Sequence, residues 1–339
     1  MKFDKPFLTF DDQLKRLSSK YNLIVEKKDI KYLSIFSYYN IINGYKDYFM
    51  KNEKYDGQTT LTDLVKIHLL DKSFLNIIFK YSTYVEDTFK HRFAYAVSRI
   101  DVNYVSQNLY LFDKTLFERR LDIDKRKLNF HNKTLNILLT VINTTKDNPT
   151  KYYRENHNHI PAWVLFKQVH FKNTIDWFMD HNKNIKLDVI SNYRLLDNSI
   201  FLGNRKNKNK NNIESEKIKS FKNALTIIRI FRNKIAHNLK VYNVEIDLNQ
   251  YKGISYKNKI VDTFLNRCSS ISGLYDCIIQ ILVLLDDEIL IKSFINDILI
   301  LFEYENEKVL EKYLDMYNLP KDFINKLKCI ELNFIYHQK

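Results

Sequence analysis

An all-α fold is predicted for this chain, and three observations carry the prediction. Its 339 residues include only five glycines and four prolines, about 3% against the roughly 12% of ordinary usage. That scarcity disfavours turn-rich β-sandwiches and Gly-rich phosphate loops, and it favours long helices. Second, nearly every apolar segment repeats at three- and four-residue spacing instead of alternating. Third, hydrophobic residues make up 45% of the chain, with 23 Tyr and 23 Phe, which excludes a disordered polymer. The length accommodates one large domain or two ordinary ones.

The elements follow in order. Thr9 and Asp12 form a capping-box pattern, after which Leu14, Leu17 and Tyr21 line one helix face. A second helix starts near Asp29 and carries Ile30, Leu33 and Phe36 toward the aromatic group Tyr38, Tyr39 and Tyr45 around Gly44. The stretch KNEKYDGQTT reads as a loop. A long helix then places Phe74, Ile78, Tyr81, Val85, Phe89, Arg92 and Ala96 at helical spacing. Asp147–Pro149 interrupts the chain, and Ile160–Pro161 precedes an apolar helix containing Trp163, Leu165, Phe166 and Trp177. GNRKNKNKNN, residues 203–212, has no acidic or apolar residue and reads as a solvated loop or as a basic arm. From Val261 to Leu285 the 3,4 spacing is unbroken, as in a buried core helix or, less simply, a coiled-coil seam. By motif, the chain divides into residues 1–60, a core over 61–245 and an extension over 246–339.

Lys and Arg number 54 against 40 Asp and Glu, a net charge of +14. A surplus of this size suits a polyanionic partner, although the Lys-, Asn-, Ile- and Tyr-rich composition supplies part of the basicity by itself. No basic amphipathic stretch with exposed aromatics favours a membrane surface. Cys268, Cys277 and Cys329 have no CxxC spacing, which fits a reducing cytoplasm and gives no zinc signature. Neither a signal-type leader nor a membrane-length apolar run is visible, so a cytoplasmic location is expected.

Chemistry points to one segment. HExxH, GxSxG and acidic metal clusters are absent, and His157 and His159 stand in a polar stretch without companions. In EKIKSFKNALTIIRIFRNKIAHN, residues 216–238, an apolar stripe runs through Ile218, Phe221, Leu225, Ile228 and Ile235, but position 232 on that stripe is Arg. A guanidinium cannot shed its charge, so it needs a carboxylate, an anionic ligand or a path to water. Asn233 and His237 share a helix face beside Arg232, and Arg229 lies one turn earlier. The cluster contains no carboxylate of its own. Arg can hold a non-bridging phosphate oxygen and His can move a proton. This suits phosphodiester cleavage without a metal or another cofactor. The alternative is an Arg reaching solvent near a helix end, with a His favoured there by the helix dipole. Two further R-x4-H strings, Arg126–His131 and Arg154–His159, lie in polar surroundings.

IRIFRNKIAHN resembles the R-N-x3-H motif of HEPN-superfamily ribonucleases. Three more stretches are similar to the Abi_2 family of bacterial abortive-infection proteins, AbiD/AbiF type: KPFLTFDDQLKRL at 5–17, SYYNIINGYKDYF at 37–49 and IPAWVLFKQVHF at 160–171. Two departures are Lys172, where the family often has Gly, and the roughly 90 residues that continue beyond the motif helix. The resemblance implies a HEPN-type helical bundle with added N- and C-terminal helices, acting as a metal-independent endoribonuclease toxin in anti-phage defence. By the same resemblance Arg232 and His237 are catalytic and Asn233 supports them. The resemblance further implies a small structured non-coding RNA that restrains the enzyme, cellular or phage RNA as substrate, and a composite site that needs a homodimer unless the RNA holds the site apart. A non-catalytic RNA-binding scaffold on the same fold is the rival expectation. RNA contacts are expected from Arg229, from Arg119, Arg120, Lys125, Arg126 and Lys127, and from Arg205, Lys206, Lys208 and Lys210.

Overall fold

The computed structural model describes residues 6–99, 109–112, 116–117, 125–193, 210–246 and 273–336. Their regular structure is helical, with isolated β-bridges and no strand among them. The chain forms two compact units, residues 1–77 with 296–325, and residues 78–295 with 326–339. The segments 1–60, 61–245 and 246–339 divide the chain by motif, and these units divide it by contact.

In the first unit, α1 (Phe10–Tyr21) starts as the sequence predicts. The Thr9 hydroxyl accepts from the Asp12 N–H at 3.2 Å and donates to the Asp12 carboxylate at 2.7 Å. The helix α2 (Ile30–Phe36) follows, then a π-turn at Tyr39–Asn43 and the short α3 (Lys46–Phe49). Leu14, Leu17, Leu23, Leu33, Ile41 and Ile42 form one apolar cluster with Leu61 and Leu64 at the start of α4 (Leu61–Ser98). Thr60 and Asp63 cap α4 reciprocally, each backbone N–H reaching the other's side chain at 3.0 Å.

Asp71, on α4, is fully buried. Its carboxylate accepts from the hydroxyls of Tyr45 at 2.8 Å, Tyr313 at 3.2 Å and Tyr317 at 2.5 Å. Tyr45 spends its one proton on Asp71, so His68 Nδ1, 3.1 Å from the same hydroxyl, carries a proton and donates to it. Burial and the carboxylate push the Tyr313 and Tyr317 hydroxyls well above the usual phenol range.

The second unit contains the remainder of α4, α5 (Lys125–Thr144), α6 (Thr150–Asn156), α7 (Ala162–Gln168), α8 (Phe171–Asp180), α9 (Lys183–Ser191), α10 (Lys210–Ala236) and α11 (Leu274–Leu285). Phe89 and Phe93 of α4 meet Phe178 at 5.4 and 5.5 Å, and Phe178 meets Phe221 of α10 at 5.8 Å. Every residue of α11 is buried. That settles its described length as a core helix; residues 261–272 lie outside the description. Arg92 pairs with Asp286 at 2.8 Å, beyond the end of α11, while its guanidinium lies 4.1 Å above the Tyr193 ring.

The single helix expected across Trp163 and Trp177 is instead two. Val169 and His170 are extended, with ψ of 130° and 142°, and separate α7 from α8. Fourteen residues apart, the two tryptophans would share a face of one continuous helix. The break instead leaves Trp163 exposed and Trp177 fully buried. Trp177 stacks on His131 with ring centres 4.9 Å apart. The neighbouring His181 is held by burial down to about 3, and its neutral ring directs Nδ1 at the Trp177 carbonyl, 2.8 Å away.

The elements α12 (Glu288–Glu303) and α14 (Phe323–Tyr336) run through both units, whereas α13 (Glu307–Met316) belongs to the first. On α11, burial pushes the Asp276 carboxyl up to about 6 against a donated hydrogen bond from Gln280 at 3.3 Å. Its other oxygen is buried without a hydrogen bond. The folded chain therefore holds a proton here that the unfolded chain has released, and this contribution to stability rises as pH falls from about 6 to about 4. Asp276→Asn is expected to stabilise the chain by about 2–3 kcal/mol at pH 7. The gain should fade below pH 6 and vanish near about pH 4, as checked by denaturant unfolding across that range. A pH-independent gain would contradict the assignment.

Candidate active site at the end of α10

The stripe of α10 is buried where the spacing predicts at Ile218, Phe221, Leu225 and Ile228, whereas Ile235, in the last turn, is only half-buried. Arg232 continues that stripe into its last turn. Its side chain is 29% exposed, and its partner is Glu86 of α4, with Nη2 3.2 Å from Oε2. The sequence-based cluster, which has no carboxylate, is thereby corrected: tertiary packing supplies one from another helix. Glu86 is buried and also pairs through Oε1 with Lys90 one turn along α4, at 2.7 Å. The Phe79 ring lies 5.7 Å from the Arg232 guanidinium carbon.

Arg232 Nη1 donates to the Asn233 amide oxygen at 3.1 Å. Its Nε is buried without a hydrogen-bond partner, as is Glu86 Oε2. The contact between Arg232 and Glu86 is thus an ion pair in which no N–H is aimed along the line to the oxygen. One guanidinium donor is committed in an aligned bond, out of the five that Arg carries.

His237 closes the helix. Its N–H donates to the Asn233 carbonyl at 3.1 Å, so the helical path persists through the motif. Asn238 follows with φ of 58°, in the left-handed region, and its N–H returns to the Ile235 carbonyl at 2.9 Å. The Leu239 N–H reaches the Lys234 carbonyl at 2.9 Å. These two bonds make a Schellman closure with Asn where Gly is usual. The His237 side chain is exposed and makes no hydrogen bond among the described residues. Arg232 and Asn233 are therefore joined directly, and His237 is placed one turn on by the backbone alone. Arg229 is half-buried on the preceding turn.

The other two R-x4-H strings are put to different use. Arg154 Nη1 donates to the Ile142 carbonyl at 2.8 Å, near the end of α5. His131, in place of the polar surroundings that its sequence suggests, is buried beside Asp180 at 3.5 Å and against Trp177. Among the described residues no group of three or more His, Cys, Asp or Glu side chains is arranged to hold a metal ion. Arg119, Arg120, Arg205, Lys206 and Lys208 lie outside the described residues, as do the side chains of Lys125, Arg126, Lys127 and Lys210; the loop expected over 203–212 is corrected at its end, since α10 already begins at Lys210.

The model of one family, described as Abi-like protein, matches residues 31–243, more than half of the chain. The chain belongs to the Abi-like protein family. Membership points to an abortive infection protein. The match includes the segments at 37–49 and 160–171 and the end of α10, whereas residues 5–17 precede it. No curated protein and no solved structure is significantly similar to the chain. No helix among the described residues of this Abi-like protein is long and apolar enough to cross a membrane.

Sequence reasoning passed over Glu86, Lys90 and Phe79. The Glu86–Lys90 pair has the i,i+4 spacing of an ordinary surface ion pair, and only its place on a helix with buried neighbours on both sides distinguishes it. The Schellman closure generates its own test. Asn238→Ala should destabilise the chain by about 1–2 kcal/mol, the cost of a Cβ residue in the left-handed region, while Asn238→Gly should be close to neutral. Thermal unfolding of the two variants checks this, and equal losses would show that φ at 238 does not matter.

Proposed function

We propose that this protein is a metal-independent endoribonuclease toxin of phage defence, restrained by a bound small non-coding RNA. The observation that carries the reading is a partly buried, charge-fixed Arg232 and an exposed His237 one turn apart at the end of one helix, in a chain of the Abi-like family. Their chemistry is complementary. Arg232 holds a non-bridging phosphate oxygen and stabilises the charge that builds on phosphorus. His237 takes the proton of the ribose 2′-hydroxyl as O2′ attacks phosphorus, and the imidazolium gives that proton to the 5′-oxygen as the P–O5′ bond breaks. The products are a 2′,3′-cyclic phosphate and a 5′-hydroxyl. Asn233 fixes one edge of the guanidinium. Each chain offers one such motif, so a second copy in a homodimer supplies the other half of a composite site. The HEPN-type arrangement of helices belongs to the same proposal.

His237→Ala should abolish growth inhibition while the protein still accumulates and folds, since removal of a general acid–base costs ~10²–10⁴ in rate. Cleavage by the wild type should persist in EDTA and spare DNA, which lacks the 2′-hydroxyl. Full toxicity from a well-expressed His237→Ala protein would leave the rival reading, an RNA-binding scaffold. In that reading the pairing of Arg232 with Glu86 is purely structural.

The +14 surplus supports an RNA partner bound by the basic stretches at 114–133 and 205–210. Neutralising Arg205, Lys206, Lys208 and Lys210 together should weaken RNA binding and flatten its salt dependence, by about one unit of slope for each phosphate that is no longer neutralised. Affinities measured at several salt concentrations check this. An unchanged slope would remove the 205–210 stretch from the interface.

A further inference from the structure

We propose that Glu86, anchored by Lys90, is a positioning residue that sets the orientation in which Arg232 meets a phosphate; this rests on the ribonuclease reading above. Glu86 and Lys90 have side chains only 7% and 9% exposed, yet they are joined to an Arg that is 29% exposed. A buried Lys–Glu pair is neutral and complete with two members. Here the same carboxylate turns its second oxygen to Arg232, so the three side chains together carry one unmatched positive charge. That charge sits at the partly open member, which is where an anion has access.

The details of the contact fit guidance better than clamping. Oε1 lies 2.7 Å from Lys90 Nζ, whereas Oε2 lies 3.2 Å from Arg232 Nη2 without an aligned hydrogen bond. The carboxylate is held firmly on the Lys90 side and loosely on the Arg232 side. Phe79 limits the tilt of the guanidinium and Asn233 fixes Nη1. Nε is buried, so the remaining Nη protons are the ones left uncommitted for phosphate oxygens. A phosphate reaching Arg232 therefore finds its fork already turned, and Glu86 need not leave for it to bind.

The test uses the full chain, freed of nucleic acid in high salt, and a labelled single-stranded RNA of mixed sequence. Glu86→Gln keeps the shape and removes the charge. It is expected to lower kcat about 10- to 100-fold, as misplacement of a catalytic group does, with KM changed much less. In an Arg232→Ala background the same substitution should have no further effect on cleavage, because Glu86 acts only through Arg232. Should Glu86→Gln fold poorly, Glu86→Gln/Lys90→Met removes both buried charges together and should show the same kcat loss. A folded variant that cleaves within twofold of wild type, or an equal loss in the Arg232→Ala background, overturns the positioning role and leaves the ribonuclease reading intact. If wild-type protein cuts no RNA, both fall.

Discussion

The buried carboxylate of Glu86 is the constraint on which the active end of the molecule depends. Removing a charged group from water costs several kcal/mol even after the protein relaxes around it, and the cost is recovered only when partners are present with good geometry. Glu86 has Lys90 on its own helix at 2.7 Å and, less well aligned, Arg232 on another at 3.2 Å. Lys90 can be supplied by α4 alone. Arg232 is supplied only when α10 packs on α4 in one register, the register in which the Phe89 and Phe221 rings meet at 6.1 Å. Aromatic packing brings the helices together without choosing strongly among nearby alignments, because dispersion is non-directional. The charge contact adds a preference for the register that brings Arg232, in the last turn of α10, to Glu86.

The chain buries a second carboxylate by different means. Asp71 accepts from three tyrosine hydroxyls, donors that bring no charge and, being rigid aromatic side chains, lose little entropy on ordering. This difference explains why one cluster suits structure and the other suits chemistry. Tyrosines satisfy Asp71 from all sides in a closed apolar setting. Cations satisfy Glu86 with charge to spare, and the spare charge reaches solvent through Arg232. Both devices stand on α4, at positions 71 and 86, one in each compact unit.

Much of the fold was legible in the residues because its signals are local. The Thr9–Asp12 cap, the start of α2 and the stripe of α10 each depend on neighbours within a turn or two, and each appears where the pattern places it. Helix ends were harder. With five glycines in the chain, the usual stop signal is missing, and Asn22, Asn238 and Asn318 take the left-handed position after α1, α10 and α13. Asn tolerates that conformation, but it is so common in this sequence that it does not mark a boundary by itself. The break at Val169 and His170 carries neither Gly nor Pro and follows from burying Trp177 and not Trp163. At the site, Arg232 was legible as an anomaly on an apolar stripe, where it required a carboxylate, an anion or water. Which one answers is a tertiary fact, because Glu86 and Lys90 read as any surface pair until α4 is known to be covered on that side.

The division of exposure within the motif has a chemical logic of its own. Arg232 never titrates, so burying part of it fixes its position without altering its protonation, and a low-dielectric wall strengthens its pull on a phosphate. A proton carrier has the opposite requirement: it must exchange with water between turnovers and approach the substrate from outside. His237 meets that requirement at the helix terminus, where the Schellman closure through Asn238 holds its backbone while leaving the ring free. Exchanging the two positions would bury a titratable ring beside Lys90 and leave the guanidinium on the exposed end. The order Arg, Asn, three residues, His therefore follows from the way one helix passes from the protein core to its surface, with the fixed charge inside and the moving proton at the edge.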